Sequence, residues 1–148
     1  MLTTSTLIMT QTESDYIFSN NWFDQNSEIW SQLFKQLKPT RILEVGSYEG
    51  RSTAYIIESL ANINDIEIHC IDNWEGGIEH KRGGSWKSNM TDIETRFKHN
   101  MQIATSRSTH AVKLEIHKGF SSRELPKLAS NNMQEYFDFI YIDGSHQA

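Results

Sequence analysis

Apolar residues along the chain fall into two kinds of pattern. From Asp24 to Leu37 they recur at helical spacing, with Ile29, Trp30, Leu33, Phe34 and Leu37 on one predicted face, and Pro39 follows as a stop. Four short apolar runs then read as strands: Arg41–Val45, Ile66–Ile71, Lys113–His117 and Phe137–Ile142. Helical stretches separate them. Ser52–Leu60 follows the first run. Thr91–Ile103 follows the second, with Met90, Ile93, Phe97 and Met101 as its apolar stripe and Thr91 with Glu94 as a capping box. Ser121–Ala129 follows the third, its start blurred by Pro126, which suits only a first turn. Strands alternating with helices predict an α/β fold, a parallel sheet of Rossmann-like type with helices packed against it. The nearly continuous apolar run 137–142 predicts a strand inside that sheet. Residues 1–19 are rich in Thr and Ser, lack periodicity and read as a flexible N-terminal arm, leaving 20–148 as the domain.

Composition narrows the function. The chain has 148 residues, 37% of them hydrophobic, with four Trp, enough for one packed core. The net charge of −5 argues against a general nucleic-acid binder. No apolar run is long enough to span a membrane, and residues 1–10 do not form a secretory signal. One cysteine, Cys70, excludes an internal disulfide and a multi-cysteine metal site, and its strand position reads as a small hydrophobe. A cytoplasmic protein acting on a small-molecule substrate is the expectation, with a homo-oligomer left open.

Ligands of open parallel sheets bind beyond the carboxyl ends of the strands, and three of the four predicted strands end in polar or glycine-containing sequence. After the first, Glu44-Val45-Gly46-Ser47-Tyr48-Glu49-Gly50 lets the chain turn off the strand at Gly46 and start a helix at Gly50. An ordinary strand-to-helix turn has the same look. The second strand ends in Asp72, 22 residues after Gly50, near the spacing of a ribose-binding acid. The last ends in Asp143-Gly144-Ser145-His146, where a carboxylate and an imidazole could serve as metal ligand and general base. His69, His99, His110 and His117 show no ligand spacing among themselves, and Trp22, Trp30, Phe23 and Phe34 read as core or a dimer face. His80-Lys81-Arg82, in the polar stretch after Asp72, fits a substrate lid or a plain insertion.

These signals, in this order, resemble class I S-adenosylmethionine-dependent methyltransferases, and more narrowly the macrocin-type O-methyltransferase family. The matching stretches are 41–53, 70–77 and 137–148. The resemblance implies that the chain holds about four of seven strands of that fold and that S-adenosylmethionine is the cofactor. By position, Glu44, Gly46, Ser47, Tyr48, Gly50 and Ser52 would form the cofactor loop, with Glu44 and Gly46 along the methionine portion. Asp72 would bind the ribose, beside Asn73. Trp74 would line the adenine side, and Gly119, Phe120 and Ser121 would form the adenine-contacting turn. Asp143 would ligate magnesium and His146 would act as base. Relatives of that kind complete the metal site with an acidic pair further along, so the 148 residues are expected to be catalytically incomplete. Two other readings stay open: a cofactor-binding or partner-binding fragment without catalysis, and, less favoured because no GxGxxG is present, a NAD-dependent oxidoreductase.

Overall fold

The structure, a computed structural model, describes residues 15–75 and 87–144, and of residues 87–92 the backbone alone. A 3-10 helix, Trp22–Asn26, leads into α1, Ser27–Leu37. Strand and helix then alternate: β1 Arg41–Val45, α2 Arg51–Leu60, β2 Ile66–Asp72, α3 Lys87–Ser106, β3 Val112–Lys118, α4 Ser121–Ser130 and β4 Phe139–Ile142. The four strands form one parallel sheet in the order β3-β2-β1-β4. The order reverses at β1, whose carboxyl end is flanked by those of β2 and β4. That is where an open α/β sheet leaves its ligand crevice.

Side-chain alternation divides the core between the two faces of the sheet. Ile42, Ile68 and Cys70 face α1, α2 and α3, joining Trp30, Phe34, Ile56, Ile57, Leu60, Ile93 and Phe97 in the larger cluster. Leu43, Val45 and Ile71 face the other way and meet Leu128 of α4 with Met133 and Phe137. At roughly 1.5–3 kcal/mol for each fully buried aliphatic or aromatic side chain, the larger cluster dominates the stability.

Several expectations change. In α1 only Trp30 and Phe34, one turn apart, are buried, while Ile29 and Leu37 are exposed, because the stripe that meets the sheet is narrow. α3 begins at Lys87, upstream of the expected Thr91, so Thr91 lies within the helix and the capping box does not form at its start; Glu94 instead pairs with Lys98 and Lys118. α4 begins at Ser121 and carries the exposed Pro126 inside it. β4 starts two residues later than the apolar run. The Asp138 carboxylate is spent on the start of β1, accepting from the Thr40 and Arg41 backbone amides at 3.1 Å each. Within the described sheet β4 pairs with β1 alone. Phe139 and Tyr141 face Trp30, whereas Ile140 and Ile142 are 54% and 72% exposed.

The N-terminal segment is also tied down from Asp15 onward. Tyr16 donates to Glu58 of α2, and the Ile17 amide and carbonyl pair with the side chain of Asn100 in α3. No helix of the described residues is long and apolar enough to cross a membrane.

Candidate active site

The turn after β1 is held from below and from the side. Glu44, fully buried, accepts hydrogen bonds from Ser47 at 2.8 Å and from the hydroxyls of Ser52 and Thr53 at the start of α2. Burial pushes its carboxyl above the usual value, against the pull of those hydroxyls. Glu44, Ser47 and Ser52 thus point into the protein and tie strand, turn and helix together. Burial also pushes the neighbouring Cys70 thiol well up, which keeps it unreactive.

Both glycines are required by neighbouring protein. Gly46 has φ +91°, and a Cβ there would lie 2.3 Å from the Asp143 carbonyl oxygen and 2.8 Å from the Gly144 nitrogen. The bare Cα lets the end of β4 press against the turn, where the Asp143 amide donates to Val45 at 2.8 Å. Gly50, at φ +80°, has its open side against Met101 and Phe97 of α3. Its freedom serves helix packing as well as the turn.

Asp72 connects the ends of β1 and β2. Its Oδ2 accepts from the Tyr48 amide at 2.9 Å and its Oδ1 from the Trp74 amide at 2.8 Å. Each carboxylate oxygen keeps a second lone pair, and the residue is half-buried, so it can still accept from a ligand. Tyr48 and Trp74 both sit at φ +51°, uncommon for bulky residues. The Trp74 indole is buried, donates to the Tyr48 carbonyl at 2.9 Å and packs on Phe97, so it backs the turn. Asn73 accepts from the Glu75 amide in a local turn.

On the far side of Asp72, its carbonyl accepts from the Gly119 amide at 3.0 Å. Phe120 follows as the residue before α4, its ring exposed, and Ser121 opens the helix. On the other flank Asp143 is exposed and accepts from the Tyr141 hydroxyl at 3.0 Å. Burial and the Asp143 carboxylate push the Tyr141 phenol up, so it remains a donor. Ser145, His146 and the stretch 76–86, which contains His80, Lys81 and Arg82, lie outside the described residues.

The structure therefore brings together Gly46, Tyr48, Asp72, Gly119, Phe120 and Asp143 along the carboxyl ends of the strands. A mononucleoside fits the donor and acceptor set: a carboxylate for vicinal hydroxyls, with an exposed aromatic ring beside it. Among the described residues, no group of three or more His, Cys, Asp or Glu could hold a metal ion.

A family model for a methyltransferase domain matches residues 43–148. The chain belongs to this methyltransferase family. The match begins at Leu43 and takes in all three strand-end signals, which gives the Rossmann-like sheet its family. Many solved structures share the fold. An O-methyltransferase from Bacillus cereus, in complex with S-adenosylhomocysteine (SAH), superposes with a TM-score of 0.53 at 15% identity, covering 95% of this chain and 53% of that one. A candidate O-methyltransferase from Klebsiella pneumoniae gives 0.53 at 17%, covering 94% and 52%. The methyltransferase chain thus spans about half the length of each. No curated protein matches it in sequence.

Sequence reasoning did not single out Ser19, Glu49, Arg96 or Asn100 beside this turn. Glu49 is almost fully buried and accepts from the Ser19 amide and hydroxyl and from Arg96. The exposed Trp22, read as core or interface, stacks on Tyr48 with ring centroids 6.2 Å apart. A histidine pair, His69 buried and His117 half-buried, also lies outside the expected pattern. His69 meets His117 at 2.8 Å and Glu67 at 2.7 Å, because neighbouring positions on β2 and β3 bring the rings together.

Proposed function

We propose that the chain is the cofactor-binding part of an S-adenosylmethionine-dependent O-methyltransferase that acts on a hydroxyl of a small molecule or sugar. The observation that carries this reading is the meeting of the β1 turn and the Asp72 carboxylate at the ends of adjacent strands, with Phe120 on one flank and Asp143 on the other. The family and the SAH complex of the Bacillus cereus relative support it.

When bound, S-adenosylmethionine supplies a methyl group on a sulfonium centre. Asp72 accepts hydrogen bonds from the two ribose hydroxyls with the lone pairs left free by Tyr48 and Trp74. Phe120 offers its exposed face to the adenine. The turn held by Glu44 and Gly46 fixes where the methionine portion lies against the end of β4. There Asp143, oriented by Tyr141, faces the acceptor. Alignment of the reacting atoms is the main service such a site performs. His146 is the proposed base for the acceptor hydroxyl. At that point the described residues offer magnesium a single exposed carboxylate, Asp143.

Calorimetric titration of the chain with SAH and, separately, with NAD tests the cofactor. Binding of SAH without binding of NAD is expected. Binding of NAD alone would establish the oxidoreductase alternative instead, and binding of neither would favour a fragment that serves a partner.

A further inference from the structure

Residues 15–24 run across α2 and α3 and close on the cofactor turn. Three of the four residues 48–51 are touched by this strap. Trp22 stacks on Tyr48, Ser19 bonds Glu49 through both its amide (2.8 Å) and its hydroxyl (2.6 Å), and Asp24 takes Arg51 in a two-pronged pair at 2.8 and 2.9 Å. Phe18 lies under the Arg51 guanidinium at 4.8 Å. Asn100, fully buried in α3, brackets strap and turn together. Its Oδ1 accepts from the Ile17 amide at 2.8 Å, and its Nδ2 donates to the Ile17 carbonyl at 3.0 Å and to the Glu49 carbonyl at 2.8 Å.

This arrangement spends polar groups in a way that core packing alone does not require. Glu49 is 2% exposed, and two of its three bonded donors belong to Ser19. Undocking the strap would leave that buried carboxylate with Arg96 alone, at 3.2 Å. The turn it holds carries Tyr48 at positive φ, and such a conformation of a bulky residue persists only where the surroundings over-determine it.

Building on the cofactor reading above, we propose that Glu49 and Asn100 are positioning residues of the methyltransferase site. They use the strap to hold the turn in its cofactor-binding form, so that strap docking and cofactor binding strengthen each other. Reciprocity follows from linkage: whatever factor the docked strap adds to cofactor affinity, bound cofactor adds to strap docking.

The test combines SAH affinity by calorimetry with hydrogen exchange at the Ile17 and Ser19 amides, on the full chain. Asn100→Ala should weaken SAH about tenfold, within the usual range of such couplings. Ser19→Ala, an exposed and milder change, should weaken it by about threefold, and Ser19→Thr should restore it, all with unchanged circular dichroism. Saturating SAH should slow exchange at Ile17 and Ser19 in the unaltered chain under native conditions where these amides exchange by local opening of the strap, an effect that a merely structural strap would not show. If Asn100→Ala fails to fold, Ser19→Ala and the exchange measurement decide. Unaltered SAH affinity in a folded Ser19→Ala, or exchange at Ile17 and Ser19 indifferent to SAH, overturns the coupling while leaving the cofactor reading intact. Failure of the unaltered chain to bind SAH overturns both.

Discussion

Replacing each glycine of the site by alanine gives a graded series whose order follows from what the new methyl group meets. At Gly46 the Cβ falls 2.3 Å from one backbone atom of Asp143 and 2.6 Å from another, with φ at +91°. Left-handed backbone costs a non-glycine residue about 1–2 kcal/mol. Overpacking costs about 1–3 kcal/mol more, and here the upper end applies because backbone, not a side-chain tip, must move. Gly46→Ala should therefore lose about 3–5 kcal/mol, a large part of a stability of about 5–15 kcal/mol. At Gly50 the clash is with the Met101 methyl at 2.6 Å and the Phe97 ring at 2.9 Å. The methionine can swing aside, so Gly50→Ala should cost about 2–3 kcal/mol. At Gly119 no positive φ is involved, and the contact is the Glu124 carboxylate at 2.6 Å, a side-chain end. About 1 kcal/mol or less is expected there. Urea denaturation at constant m-value gives the three numbers. Gly119→Ala costing as much as Gly46→Ala would refute the claim that the pressed contact between the β1 turn and the end of β4 sets the order.

Two further perturbations probe the supports of the site. Glu44→Ala strands three buried hydroxyls and should cost about 3–5 kcal/mol, whereas Glu44→Gln should cost less than half of that, because burial already favours an uncharged group there; equal losses in denaturation would show that the hydroxyl bonds do not matter. The histidine pair predicts a pH dependence of melting temperature. Burial and the neighbouring His69 hold His117 below its ordinary 6.5, so the unfolded chain takes up a proton first as pH falls. Stability should be complete above about pH 6.5 and decline as pH drops below it, and His117→Gln should flatten that slope. A second decline is expected below about pH 4.5. Burial pushes Glu67 up, but hydrogen bonds from His69 and Tyr136 and the Lys113 charge outweigh it and hold the carboxyl low, so its contribution is lost on protonation.

What the sequence revealed and what it hid have physical reasons. β1, β2 and β3 were legible to within a residue or so at either end, since apolar runs of that length bounded by polar turns have few other structures to adopt. β4 lies at the edge of the described sheet with Ile140 and Ile142 open, in a chain that spans about half the length of its solved relatives. Among site residues, Gly46 and Asp72 were visible from their places at strand ends. The structure changed the reasons: Gly46 is demanded by Asp143 and Gly144, and Asp72 already serves Tyr48 and Trp74 before any ligand enters. Glu44 and Trp74 were singled out as cofactor-side residues, and the structure adds that both brace the turn. Asn100 and Ser19 left no local signature. Asn100 meets Ile17 across 83 positions, and neither periodicity nor turn chemistry encodes a contact of that range.

On the proposed function, the crevice beyond β1 and β2 binds an adenosyl cofactor through Asp72. Calorimetric titration of SAH into the unaltered chain and into Asp72→Ala, with circular dichroism as the check on folding, tests it most directly. Loss of a charged acceptor for two ribose hydroxyls, at about 1.5–3 kcal/mol each, predicts at least a hundredfold weaker binding by a variant that is still folded. Equal affinity of the two proteins for SAH would contradict the account.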